Sequence, residues 1–331
     1  MTQPEHIEEQ TSKSDTDQAV TIVEVGPRDG LQNETAPVPT SVKVAFVDGL
    51  SETGLREIEV SAFVSPAWVP QLGDAEDVFR GITRREGVVY SALVPNRLGL
   101  ERAIEAGADK IAIFTAASET FNRKNINTSI AGSIRRFKPL LKQAQEENLP
   151  VRAYVSAAFW CAFEGRISAR AVIEVVERLV DIGADQIALS DTVGKATPDE
   201  VRHLLDGLLP KLPQDRIAMH FHDTYGRGIE NTLASWLRGI RVFDGSAGGL
   251  GGCPYAPGAT GNVATEDLVS AFEDKGIEVD IDLGKLSTAG RLVAPFLTED
   301  RRSFPEEELL ACSACDYATG KVCCRRREML E

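Results

Sequence analysis

From Val20 onward, short apolar runs alternate with amphipathic stretches along the chain. The runs at Val20–Val25, Glu57–Ser61, Val88–Val94, Lys110–Thr115, Val151–Ala157, Gln186–Ser190, Ile217–His222 and Arg241–Ser246 have the length and apolar content of buried strands. Helical periodicity lies between them, near Thr40–Glu52, Asp74–Phe79, Arg97–Glu105, Ile130–Glu147, Ser168–Ile182, Thr197–Leu208 and Gly228–Leu237. The phrases GLREIEV, EAGADKIAIF and DIGADQIALS repeat one device: a helix, a glycine at its C-terminal end, a turn and a buried strand. That is the αβ step of a parallel sheet. Eight such strands predict a (β/α)8 TIM barrel with a short C-terminal helical extension. A doubly wound open sheet is the alternative, but no GxGxxG follows the first run. The expected organisation is a disordered acidic lead over 1–19, a barrel over 20–283, and an extension with a cysteine-containing tail over 284–331.

Composition narrows the partners. The 331 residues carry a net charge of −14, which argues against nucleic acid or an anionic membrane. No apolar run approaches the ~20 residues of a membrane span. The polar, acidic N-terminus lacks the features of a secretory or transit peptide. Of the six cysteines, Cys161 and Cys253 lie within the barrel region, while Cys312, Cys315, Cys323 and Cys324 crowd the tail in a spacing that fits no standard zinc site. Without an export signal a disulfide framework is not expected, and a cytoplasmic location is.

In a barrel, chemistry collects at the C-terminal ends of the strands, and polar groups gather there. Arg28-Asp29 follows the first strand directly after Gly26-Pro27. Taken alone, the pair reads equally as a surface salt bridge or as a metal ligand beside an oxyanion stabiliser. His220-x-His222 is sharper: residues i and i+2 of a strand face one way, so two of the chain's four imidazoles point into one space. A carboxylate such as Asp29 completes a mixed N/O set that suits Mg²⁺ or Mn²⁺, with catalytic Zn²⁺ also compatible. The segment GGLGGCPYAPGATGN, Gly248 to Asn262, is too glycine-rich for a helix or strand and reads as a loop that approaches or covers a ligand. It carries the thiol of Cys253, and the Asn262 amide oxygen is a further candidate ligand. Glu59 reads as a partner of Arg28, an anchor for metal-bound water, or a salt bridge in the barrel mouth. Asp191 reads as a cap or a supporting acid, with Thr197 before Pro198 the better helix cap. Cys161 and the three tryptophans read first as packing.

VEVGPRDGLQNE, SAFVSPAWVPQ, HFHDTYG and GGLGGCPYAPGATGNVATEDLV together resemble the 3-hydroxy-3-methylglutaryl-CoA lyases, metal-dependent TIM-barrel enzymes with an Arg-Asp pair at the first strand. The resemblance runs from about Val20 to about Phe272. It implies that Asp29, His220, His222 and Asn262 hold a divalent cation, Mg²⁺ or Mn²⁺. It implies that Arg28 stabilises an enolate oxygen, that Cys253 is the general acid/base of a mobile loop, and that Glu59 and Asp191 are further catalytic acids supported by Glu24 and Glu266. Arg28, Gln32 and Ser61 fall at substrate-binding positions, and Asp29 is also a candidate base. The implied reaction is retro-Claisen cleavage of an acyl-CoA to acetyl-CoA and a 3-oxoacid, in a homodimer or other homo-oligomer. The alternatives are a longer 3-substituted substrate or a 4-hydroxy-2-oxoacid aldolase. The sequence departs from the family at Thr35, Ala67 and Trp160; Trp160, replacing a small residue, is expected to reshape the acyl pocket.

Overall fold

A computed structural model of the chain describes residues 19–252 and 261–297. In chain order the elements are β1 (Thr21–Glu24), α1 (Thr40–Ser51), β2 (Glu57–Ala62), α2 (Ala75–Gly81), β3 (Val89–Leu93), α3 (Arg97–Glu105), β4 (Lys110–Ala116), α4 (Glu119–Ile126) and α5 (Ile130–Glu146). There follow β5 (Val151–Ser156), β6 (Trp160–Cys161), β7 (Gly165–Arg166), α6 (Ala169–Asp181), β8 (Gln186–Asp191), α7 (Pro198–Leu208), β9 (Ile217–Phe221), α8 (Gly228–Trp236), β10 (Val242–Gly245), α9 (Thr265–Glu273) and α10 (Leu283–Val293). Eight strands close into a barrel in the order β1-β10-β9-β8-β5-β4-β3-β2, and each neighbouring pair is parallel. Every expected strand coincides with one of these eight, its ends agreeing to within a residue.

The helix–glycine–strand device behaves as its chemistry requires. Gly107 and Gly183, just past α3 and α6, have φ of 77° and 103°, a left-handed conformation that costs glycine little. Thr197 caps α7 with a full capping box to Glu200, and Pro198 stands at the first helical position. Two elements were not foreseen: α4, inserted after β4, and the antiparallel β6–β7 hairpin, inserted after β5.

The main core lies between strands and helices, where Ile111, Val151, Val155, Ile187 and Ile217 meet the inner faces of the helices. The barrel interior is different: Ala62, Ala112, Ala188 and Ala218 pack with Leu93 and Tyr154. Residues two apart on a strand share a face, so Arg152 and Tyr154 of β5 both enter this interior, and the alanines leave room for them. Helix α10 lies in the segment read as a C-terminal extension, and it packs on the barrel. Leu286, Ala289 and Val293 are buried in the same core as the barrel helices. Among the described residues no helix is long and apolar enough to cross a membrane.

Candidate active site

The site is assembled at the C-terminal rim, beginning with a wide helical turn over Gly26–Gly30. In that turn the Gly30 N–H donates to the Val25 carbonyl at 3.2 Å, and the Leu31 N–H donates to the Gly26 carbonyl at 3.0 Å. Turns of this width are rare and concentrate at functional sites. Gly26 is required by crowding, since a Cβ there would lie 2.5 Å from Glu24 Oε1. The turn presents Arg28 and Asp29 side by side at the barrel mouth.

Arg28 is buried, and its guanidinium is held on two sides: Nε pairs with Glu59 Oε1 and NH1 with Asp29 Oδ1. The hydroxyl of Tyr154 donates to Glu59 Oε2 at 2.8 Å, and the Arg28 guanidinium carbon lies 5.5 Å from the centre of the Tyr154 ring. Glu59 is thus paired with Arg28, a contact that fits both its reading as a partner of Arg28 and its reading as a salt bridge in the barrel mouth. Burial acts to depress the Arg28 pKa, but Glu59 and Asp29 outweigh it, so the group stays cationic. Burial likewise acts to raise Asp29. The charges of Arg28, His220 and His222 and a hydrogen bond from Asn262 overcome that and hold the carboxyl at about 2.

Asp29, His220 and His222 each offer a ligand atom, and these atoms lie within 4.8 Å of one another. Ligands of one Mg²⁺-sized ion, each ~2.1 Å from it, stand roughly 3–4 Å apart, so only slight contraction is required. Asn262 joins them: a β-bridge pairs it with His222. Its Nδ2 donates to Asp29 Oδ2 at 3.1 Å and to the Leu250 carbonyl at 3.0 Å. With both amide hydrogens occupied, the buried Asn262 Oδ1 has no partner among the described residues, and neither has His222 Nδ1. Burial, followed by the neighbouring His220, pushes the His222 pKa down to about 4 against the pull of Asp29, so its imidazole is neutral at ordinary pH and a lone pair is available. Two buried orphan acceptors beside an ionised carboxylate fit a divalent cation.

Other expected residues fall elsewhere. Asp191 is fully buried, and its oxygens accept from the backbone N–H groups of Lys195 (3.2 Å) and Ala196 (2.8 Å), bracing the loop before α7. Burial raises it to about 6 despite those bonds. Glu24 Oε1 accepts from the N–H groups of Gly26 (2.8 Å) and Ala247 (2.9 Å), and Oε2 meets the Thr265 hydroxyl at 2.6 Å. Glu266 accepts from the Gly248 N–H. These two acids therefore fasten the root of the glycine-rich segment to the barrel. Ser61 is buried, its hydroxyl without a partner among the described residues, and Gln32 is half-buried in the chain leaving the Arg-Asp turn. Cys253 lies outside the described residues, as do Cys312, Cys315, Cys323 and Cys324. The preceding Gly252 carbonyl accepts from Asn33 Nδ2 at 3.0 Å.

Trp160 is half-buried. It sits on the β6–β7 hairpin, where its Nε1 donates to Glu200 of α7 at 3.3 Å and Lys195 Nζ stands 4.3 Å from the ring centre. It packs on the N-terminal end of α7 and lines a cavity with Arg166, Lys195 and Arg227. Trp68, read as packing, is 84% exposed on the loop after β2. Asp29, read as a candidate base, is ionised and so free to accept a proton. Three interior residues had passed unremarked: Tyr154, Arg152 and Asp244. Their signal was a polar side chain on the inward register of an otherwise apolar strand, in VRAYVS and VFDG.

Comparison with known proteins extends these observations. The HMGL-like family profile matches residues 19–293. A curated relative from Pongo abelii, a mitochondrial hydroxymethylglutaryl-CoA lyase, is 49% identical over 86% of this chain and 87% of its own. A Pseudomonas aeruginosa relative, a 3-hydroxy-3-isohexenylglutaryl-CoA/hydroxymethylglutaryl-CoA lyase, is 45% identical over 88% of this chain and 97% of its own. A solved structure of an HMG-CoA lyase from Acinetobacter baumannii, in complex with coenzyme A and 3-methylmalate, superposes with a TM-score of 0.83 at 39% identity, covering 90% of this chain and 96% of that one.

Proposed function

The chain belongs to the HMGL-like family, and on that footing we propose that it is a carbon–carbon lyase cleaving 3-hydroxy-3-methylglutaryl-CoA to acetyl-CoA and acetoacetate. The observation that carries this reading is the meeting of Asp29, His220, His222 and Asn262 beside the cation of Arg28 at one rim of the barrel. These four side chains are the cation ligands, and the unpartnered Asn262 Oδ1 and His222 Nδ1 support the assignment. Mg²⁺ is the first choice and Mn²⁺ the second, because a mixed oxygen and imidazole set suits hard divalent ions. When bound, such an ion supplies Lewis-acid polarisation of substrate oxygens.

The remaining work belongs to the protein. Asp29, ionised at the rim, takes the 3-hydroxyl proton. The O–H electron pair becomes the new carbonyl as the C2–C3 bond breaks, releasing the 3-oxoacid and leaving the bond's electrons as the enolate of acetyl-CoA. Arg28 meets that growing charge. It is fixed in advance by Glu59 and Asp29, and its NH2 group has no partner among the described residues. A donor already oriented costs no reorganisation as charge develops. Tyr154 and Glu59 keep the guanidinium in place. Cys253 returns a proton to C2: an ordinary thiol, with a pKa near ~8.5, is mostly protonated at neutral pH. Gln32 and Ser61 bind substrate at the mouth, while Glu24, Glu266 and Asp191 hold the loops that frame it.

A second reading keeps this chemistry and lengthens the substituent at C3. The Pseudomonas aeruginosa relative, named for both an isohexenyl and a methyl substrate, favours it. The test is to incubate purified protein with Mg²⁺ and each acyl-CoA and to assay the released 3-oxoacid. Acetoacetate from the methyl substrate supports the first reading. Turnover of the isohexenyl substrate alone supports the second.

A further inference from the structure

Asp244 stands at the inner end of a buried chain that leads to the cation ligands. Its Oδ2 is 3.1 Å from His220 Nδ1, and its Oδ1 accepts from Arg152 NH2 at 2.5 Å. All three residues are buried. A carboxylate against Nδ1 favours the neutral imidazole that carries its proton there, which leaves the lone pair on Nε2. Nε2 is the nitrogen that faces the site, 4.0 Å from Asp29 Oδ2. The edge of the ring is also walled by Tyr154, whose ring centre lies 6.0 Å away in a T-shaped contact.

Arg152 adds a reason to read this arrangement as more than packing. Its Nε and NH1 have no hydrogen-bond partner among the described residues; its guanidinium carbon lies 4.9 Å from the Tyr154 ring centre, and its NH2 donates to Asp244. A buried ion pair is on balance a weak source of stability, and apolar side chains of similar size often do as well. What the pair supplies here is a carboxylate locked at one position and orientation.

We propose that Asp244 is a positioning residue for the lyase reaction: it fixes the tautomer and ring angle of His220 so that Nε2 is presented to the cation, and Arg152 holds Asp244 for that purpose. The proposal rests on the reading of His220 as a ligand. It concerns Asp244 and Arg152, which are not among the candidate cation ligands.

Two measurements test it. The first uses the unaltered protein: long-range ¹H–¹⁵N correlation of ¹⁵N-histidine-labelled, metal-free enzyme, with His220 assigned by its absence in His220→Asn. The expected spectrum has His220 protonated on Nδ1 and unprotonated on Nε2; the opposite tautomer overturns the proposal. The second is Mn²⁺ affinity, read by the EPR signal of the free ion. Asp244→Asn should weaken binding about 10–100-fold, the scale of losing a partner of a metal-bound histidine. Should that variant fail to fold with Arg152 left unpaired, Arg152→Met/Asp244→Asn removes the buried charge and should show the same loss. Wild-type affinity in a folded variant overturns the positioning role while leaving the cation site intact. Absence of Mn²⁺ binding by the wild-type protein removes the cation site, and the proposal falls with it.

Discussion

At the scale of single residues, the account depends on groups whose ionisation is fixed by what touches them. Arg28 is buried, held between Glu59 and Asp29. Replacing it with Gln removes the charge and keeps the approximate shape. Turnover should fall by at least ~10³-fold, the upper range for one preorganised oxyanion donor, with an unchanged circular-dichroism spectrum. Near-normal kcat in a folded variant would remove Arg28 from the chemistry. Glu24 makes the opposite kind of prediction. Burial pushes its carboxyl up to about 8, against hydrogen bonds from Thr265, Ala247 and Gly26 and with a further push from Glu266. The ordinary value is 4.5, so the folded state holds a proton that the unfolded state releases. That stability is fully present below about 4.5 and is lost as pH rises through about 8. Glu24→Gln mimics the protonated acid. It should flatten this loss, gaining at least ~1 kcal/mol relative to wild type between pH 5 and pH 8 in urea melts; parallel curves would show that Glu24 does not titrate in that range.

Legibility in the sequence also divides at this scale. The pair His220-x-His222 could be read because strand periodicity alone puts both on one face, and Asp29 because it follows a strand that glycine and proline terminate. Arg152 and Asp244 escaped because attention to strand ends passes over a charge in mid-strand. Only closure of the barrel brings β5 and β10 residues 92 apart in sequence within hydrogen-bonding distance.

At the scale of elements, the eight strands were legible because buried parallel strands are short, apolar and punctuated by a glycine that must adopt positive φ. Helix α4 was not, because its interior face consists of little more than Phe121 and Asn122, too few positions to establish a period. The β6–β7 hairpin has two residues per strand, below what alternation can reveal. Helix α10 raises a question of boundaries. If it were a detachable extension, truncating Leu286 would change stability by no more than ~0.5 kcal/mol, as at a surface position. Leu286 is buried in the shared core, so Leu286→Ala should cost about 2–5 kcal/mol in a denaturant titration.

At the scale of the whole molecule, the barrel converts sequence distance into proximity. Asn262 and Asp29 are 233 positions apart and share a hydrogen bond of 3.1 Å. Strand order does this: β10 pairs with both β1 and β9, so the first strand's turn, the imidazoles of β9 and the segment following β10 meet at one rim. The glycine-rich segment is tied down at its near end by Glu24, Glu266 and Asn33 and at its far end by the bond from the Asp223 N–H to the Gly261 carbonyl at 2.8 Å. Those anchors explain why acids far from any reacting atom still matter to the site. The most direct test of the whole account is to strip the protein of metal with a chelator, add 3-hydroxy-3-methylglutaryl-CoA, and titrate with Mn²⁺ while following acetoacetate. The account predicts no product until the ion is added and full activity at one ion per chain. Undiminished acetoacetate release from the metal-free protein would contradict it.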